Sequence, residues 1–289
     1  MSIPAMTTDA ERGCYYRLAK EAGDGAIIEF GAWLGASTAY IARGLRDSGS
    51  DRKVQVYDKF QSKVGHARKV EAFYEKHGGE IPIGPSLDQF KANLGPLLAH
   101  VDIHKCQIEK LKWTGGNVAL MITDAPKRVP AISPVLTQLK DALQPGSLMA
   151  WQDFCHFPSY EIPACLYRLR DHIEFVEAVV PGTTLAFRVK SQWKASEVSL
   201  DALSLRRWTP AEIEQAWEYW AQFVPAEKLA LFRCGAAMFM SDIGKPESGV
   251  EALRPVKDEA DVAKKWEYLR KNRQDFTFRY SQLFGLMAA

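Results

Sequence analysis

The chain has 289 residues, of which 47% are hydrophobic, 25% charged and 11% aromatic, the composition of a globular protein able to bury a sizeable core. Its 37 basic and 35 acidic residues leave a formal charge of +2, which argues against a sequence-independent grip on nucleic acid. No apolar stretch is long enough to span a bilayer, and the opening "MSIPAMTTDAERG" lacks the charged and apolar regions of a secretory signal, so none is expected.

In chain order, the first strong signal is "AIIEF" (26–30), a nearly continuous apolar run that predicts a strand buried on both faces. It passes directly into "GAWLGAST", after which Leu34, Thr38, Ile41 and Leu45 recur at helical spacing. Further strands are predicted at 53–58, 100–105, 118–124, 147–153, 173–180 and 183–189. Between the fourth and fifth, Ile132, Val135, Leu136 and Leu139 mark another helix. Such alternation implies an α/β fold with a doubly wound, Rossmann-like sheet of seven strands. The last two predicted strands are separated only by "PG" (181–182), which suggests an antiparallel hairpin on the sheet edge.

Two regions stand outside this alternation. Residues 61–98 are too long for a plain crossover and read as two short helices around a Gly/Pro-rich turn, a lid-like insertion within a domain of residues 1–195. Residues 196–289 form a mainly helical C-terminal extension, in which Ile213, Trp217, Trp220 and Val224 share one apolar face. That much apolar surface must cover the core, roof a site or meet a second subunit, and a homodimer is the expectation. The cysteines (Cys14, Cys106, Cys155, Cys165, Cys234) are scattered without a C-x-x-C and read as reduced thiols of a cytoplasmic protein.

The glycine turn carries the functional signal. Glu29 to Ser37 reads E-F-G-A-W-L-G-A-S, without the G-x-G-x-x-G of a dinucleotide site, which disfavours a nicotinamide-dependent oxidoreductase. Gly31 permits a sharp turn and a close backbone approach, and Gly35 permits crowding at the helix start. Glu29, at the strand end, can accept hydrogen bonds from a ligand. Asp58 ends the second predicted strand, where an acid can bind the two hydroxyls of a ribose. Trp33, inside the turn, is assigned to the core, and His104 to a structural role.

This combination resembles the class I S-adenosylmethionine-dependent methyltransferases over roughly residues 20–190. The resemblance implies that Glu29, Gly31, Gly35 and Ser37 line the methionine and ribose pocket, that Asp58 holds the ribose, and that Gln107 and Ile108 flank the adenine. The fourth strand ends in "ITDAPK" and the fifth in "AWQDF". The constellation resembles the metal-dependent O-methyltransferases of the catechol and macrocin types, and Asp124 and Lys127 match the D-x-x-K of the catechol and caffeoyl-coenzyme A members. That likeness implies Asp124 beside the cofactor and as a metal ligand, with Lys127 as base should its pKa be depressed. Where that family carries an acid pair after P-G, this chain has Gln152 and Asp153. The amide removes one negative charge, so affinity for Mg2+ should fall.

Three readings stay open: weak metal binding through Asp124, Gln152 and Asp153; a metal-independent enzyme with His156 or Lys127 as base; or a catalytically silent binding domain. The expected function is an S-adenosylmethionine-dependent O-methyltransferase acting on a hydroxyl of a small polyhydroxyl acceptor, a sugar or natural product, with neither nucleic acid nor membrane as partner.

Overall fold

The computed structural model describes residues 3–63, 65, 70–77 and 83–288. Parts of the expected lid (64, 66–69 and 78–82) therefore lie outside the described residues. Seven strands form one sheet: β1 (Ala26–Phe30), β2 (Val54–Asp58), β3 (Val101–Lys105), β4 (Val118–Thr123), β5 (Leu143–Trp151), β6 (Ile173–Ala178) and β7 (Leu185–Val189). Their spatial order is 3-2-1-4-5-7-6. The first five run parallel, with Ile27 beside Val54 and Leu120, while β7 pairs antiparallel to both β5 and β6. The doubly wound sheet with its edge hairpin is as the sequence predicts.

Strand residues alternate between two cores. Ile27, Val54, Val56, Leu120 and Ile122 pack beneath helices α1 (Asp9–Glu21), α2 (Ala36–Asp47) and α3 (Leu87–Leu94). Ile28, Phe30, Met121, Met149 and Trp151 face the opposite layer. There α4 (Val129–Leu139) and α5 (Glu161–Arg168) meet the C-terminal helices α6 (Pro210–Ala221) and α7 (Ala226–Asp242).

Ile213, Trp217, Trp220 and Val224 are all buried in this second core. The Trp220 ring meets Phe154 and Phe187 edge-on, and its Nε1 donates to the Pro163 carbonyl at 2.9 Å. Trp217 packs on Phe232 and Phe239 of α7, so this apolar face is covered from within the chain. A further helix, α8 (Ala260–Asn272), inserts Trp266 into the same core. Among the described residues, no helix is long and apolar enough to cross a membrane.

Strand ends differ from the prediction where it matters most. β4 stops at Thr123 and β5 at Trp151, so Asp124, Gln152 and Asp153 lie on loops beyond the carboxyl edge of the sheet. The expected two-residue PG turn is a six-residue connection, 179–184, because β6 ends at Ala178 and β7 begins at Leu185. Glu11 of α1 draws this connection onto the first helix: its Oε1 accepts from Thr183 N at 2.9 Å and from Thr184 Oγ1 at 2.8 Å.

Candidate functional site

The carboxyl edge of a parallel sheet is where loops can converge on a ligand, and the site is built from the ends of β1, β2, β4 and β5. After Phe30 the chain turns through Gly31 and Gly35, both at φ 90°, and Trp33 at φ 46°. At these angles an L side chain is strained. A Cβ on Gly31 would lie 2.7 Å from Ala125 N, and one on Gly35 would lie 3.1 Å from the Phe90 ring. Both glycines are therefore required by the protein's own packing. Gly31 makes room for the loop after β4, whose Asp124 and Ala125 amides donate to the Phe30 carbonyl at 2.7 and 3.1 Å.

Asp58 organises this turn. Its Oδ2 accepts from Ala32 N at 2.8 Å and from Trp33 N at 2.9 Å, while Oδ1 accepts from Phe60 N at 2.5 Å. Three of the roughly four lone-pair positions of the carboxylate are thereby engaged. The expected ribose-binding acid is thus also the clamp of the glycine turn.

Glu29 is buried at the end of β1. Its Oε2 accepts from Thr38 Oγ1 at 2.5 Å, while Oε1 has no hydrogen-bond partner among the described residues. Burial raises its carboxyl from 4.5 to about 8, against the pull of the Thr38 hydroxyl, and nearby Asp124 and Asp58 add to the rise. Thr38 was read from the sequence only as a helix-face residue; nothing in its spacing signals this bond.

Gly31, Trp33, Asp58, Ile108, Asp124 and Lys127 are among the residues that line a cleft of about 380 Å³, within the ~300–1,000 Å³ usual for small-molecule sites. Trp33 is half-buried on the cleft wall, with Nε1 donating to Ser62 Oγ at 2.6 Å, rather than in the core. Ile108 is buried at the lining, whereas Gln107 is exposed and is not part of it. Ser37 lies in a neighbouring narrow crevice beside Thr7, whose hydroxyl is 3.4 Å from its own. His104 stacks on Tyr57 at 4.5 Å and meets Gln55 Oε1 at 2.7 Å, consistent with a structural role.

Asp124, Lys127, Gln152 and Asp153 do converge, although 29 residues separate the two acids. The Lys127 ammonium lies 2.8 Å from Asp124 Oδ1 and 3.4 Å from Gln152 Oε1, and it donates to Asp153 Oδ2. Burial draws the lysine pKa down, but Asp124 and Asp153 outweigh burial and leave it raised. The depressed pKa a lysine base requires is absent, which corrects that expectation. Burial raises Asp124, with Lys127 offsetting part of the effect. For Asp153 burial acts upward too, yet Lys127 and then His156 hold it low. His156 is about a third exposed, with Nδ1 3.2 Å from Ser159 Oγ and 3.8 Å from Asp153 Oδ2.

These residues do not fit a magnesium site. The three expected ligand oxygens surround the Lys127 ammonium, and only two of them belong to carboxylates. The sequence missed Glu11 and Thr183, which position Asp153: the Thr183 hydroxyl donates to Asp153 Oδ1 at 3.2 Å. Thr8-x-x-Glu11 signals a helix cap, and the observed capping box confirms it, but not Glu11's reach to a loop 172 residues away.

No family model and no curated protein matches the chain. Among solved structures, the O-methyltransferase NovP is 16% identical with a TM-score of 0.50, over 65% of this chain and 82% of its own. CalS11, a TDP-rhamnose 3'-O-methyltransferase of calicheamicin biosynthesis, is 17% identical over 62% and 76%, with a TM-score of 0.41. TomG from Streptomyces achromogenes, an O-methyltransferase of tomaymycin synthesis, is 13% identical over 65% and 82%, with a TM-score of 0.40. Together with the sheet order, the likeness to NovP shows that this chain has the class I methyltransferase fold.

Proposed function

We propose that the protein is an S-adenosylmethionine-dependent O-methyltransferase acting on a hydroxyl of a small polyhydroxyl molecule, a sugar or natural product. The observation that carries this reading is Glu29: a buried carboxyl oxygen without a partner among the described residues, at the end of β1 next to the glycine turn, on an acid whose proton a bound cation would displace. An unsatisfied buried acceptor is costly, and a cationic amine is the chemistry that would satisfy it. Asp58 would meet ribose hydroxyls at the rim, and Trp33 and Ile108 supply apolar walls. S-adenosylmethionine, when bound, supplies an electrophilic methyl group on its sulfonium.

The protein's part is then to align an acceptor oxygen and receive its proton. Asp124, at the cleft wall and raised by burial, is suited to accept that proton. Lys127 donates to the acceptor oxygen and holds it. His156, beside Asp153, is the second candidate base.

The test is calorimetric titration with S-adenosylmethionine and NAD, followed by turnover against a panel of hydroxylated sugars and natural products. S-adenosylmethionine should bind and NAD should not; the reverse would remove the methyl-transfer reading. The engagement of Lys127 with two acids favours a second reading, a binding domain without turnover. Cofactor binding with no methyl transfer to any acceptor would support that one.

A further inference from the structure

We propose that Lys127 is the resident cation of this site, standing where a divalent metal would otherwise sit and holding the acceptor oxygen itself. The proposal rests on the methyl-transfer reading of the cleft.

Two features of the chain point the same way. The first is geometric. Asp124 Oδ1, Gln152 Oε1 and Asp153 Oδ2 come from two separate loops, yet all three converge on one ammonium. Asp153 is aimed there by a left-handed backbone, φ 62°, and by the Thr183 hydroxyl on its other oxygen. The Thr183 loop is in turn tied to Glu11. This is a built arrangement: a non-glycine residue at positive φ is held against its preference by surrounding bonds.

The second feature is charge. Two carboxylates and one ammonium sum to a net charge of −1. Three carboxylates around a divalent ion, with no ammonium, sum to −1 as well, so the amide at Gln152 lowers the charge of the oxygen set by as much as an ammonium lowers that of the cation. Magnesium also demands near-octahedral oxygen ligands at about 2.0–2.1 Å and keeps most of its waters. A lysine on a flexible stem needs only hydrogen-bond acceptors. The neutral amide and the inserted ammonium are thus complementary departures from a metal site.

An ammonium has three N–H donors. Two are committed to Asp124 and Asp153, and the contact to Gln152, at 3.4 Å, exceeds the ordinary N–H···O range of about 2.7–3.2 Å. That third donor is the one an acceptor oxygen can take. A point donor holds one oxygen, whereas a metal chelates two, so the acceptor need not present vicinal hydroxyls.

Mn2+ titrations followed by electron paramagnetic resonance test this on the full chain, using the native protein, Lys127→Met, Lys127→Arg and Lys127→Met/Gln152→Asp. The native chain and Lys127→Arg should leave Mn2+ free. Lys127→Met should bind it about tenfold more tightly than the native chain, a shift of the size that changes around a metal site produce, and the double variant more tightly again. Should the double variant not fold, the native and Lys127→Met pair decides. An equal response of those two to Mn2+, strong or absent, overturns the proposal. S-adenosylmethionine binding by the native chain, measured separately, reports on the cofactor reading alone.

Discussion

Glu11 Oε1 accepts a hydrogen bond from the Thr183 amide at 2.9 Å, joining the first helix to the loop that orients Asp153. The same oxygen takes the Thr184 hydroxyl, and Oε2 takes the Thr8 amide. Glu11→Ala would strand these donors in a buried place, at a cost of about 3 kcal/mol. Urea denaturation should show a loss of that order. Glu11→Gln, which keeps one acceptor oxygen, should lose less, and equal stability of all three proteins would show that the link is not needed.

Gly31→Ala should destabilise the fold by about 2 kcal/mol, from positive φ and from contact with Ala125 N. Asp58→Ala frees two amides of the turn and that of Phe60 and should weaken S-adenosylmethionine binding about tenfold or more, roughly 1.4 kcal/mol. Calorimetry on a variant shown by circular dichroism to be folded measures this. Unchanged affinity would take the nucleoside off this edge of the sheet.

Burial places the Glu29 carboxyl at about 8 against an ordinary 4.5. Between those values the folded chain keeps a proton that the unfolded chain has released. This contribution to stability is full below 4.5 and is lost as pH rises through 8. Glu29→Gln, neutral throughout, removes it. Melting temperature against pH should fall less steeply for the variant than for the native chain across this window, and parallel curves would contradict the burial of a proton at Glu29.

Lys127 is held as an ammonium by Asp124 and Asp153. Turnover should therefore show no loss between pH 7 and 10 attributable to its deprotonation, since its ordinary pKa of about 10.4 is moved upward. Lys127→Met should lower kcat about a hundredfold, the effect of deleting one donor to a developing oxyanion. Lys127→Arg should retain more activity than Lys127→Met, and the opposite ranking would rule out charge as its contribution.

Ending the chain at residue 195 would expose Phe154 and Phe187, on which Trp220 and, for Phe154, Phe232 of the C-terminal helices pack. Such a protein should aggregate or melt without cooperativity. In the full chain, Trp220→Ala should cost about 3–5 kcal/mol, because the ring is buried and its N–H is bonded to Pro163. Light scattering and denaturant unfolding check both expectations.

The seven strands in chain order, the glycine turn, the acid that ends β2 and those after β4 and β5 are legible in the sequence. Each is a local signal: a run of apolar residues buried on both faces, a break in helical period, a polar residue where a strand ends. The burial of Ile213, Trp217 and Trp220 is legible for the same reason, since one helix face carries it. What covers that face is not. The tertiary structure alone brings Lys127 between Asp124 and Asp153, fills the space beside Gly35 with Phe90, turns Trp33 onto a cleft and engages Asp58 with three amides. These relationships join residues 25 or more positions apart, apart from Asp124 beside Lys127 and Phe60 beside Asp58. A lysine three residues after an aspartate reads alike whether it is a free base or a bound counterion. Its charge is held by that aspartate together with an acid on the neighbouring strand's loop, and only the folded sheet places the second acid within reach.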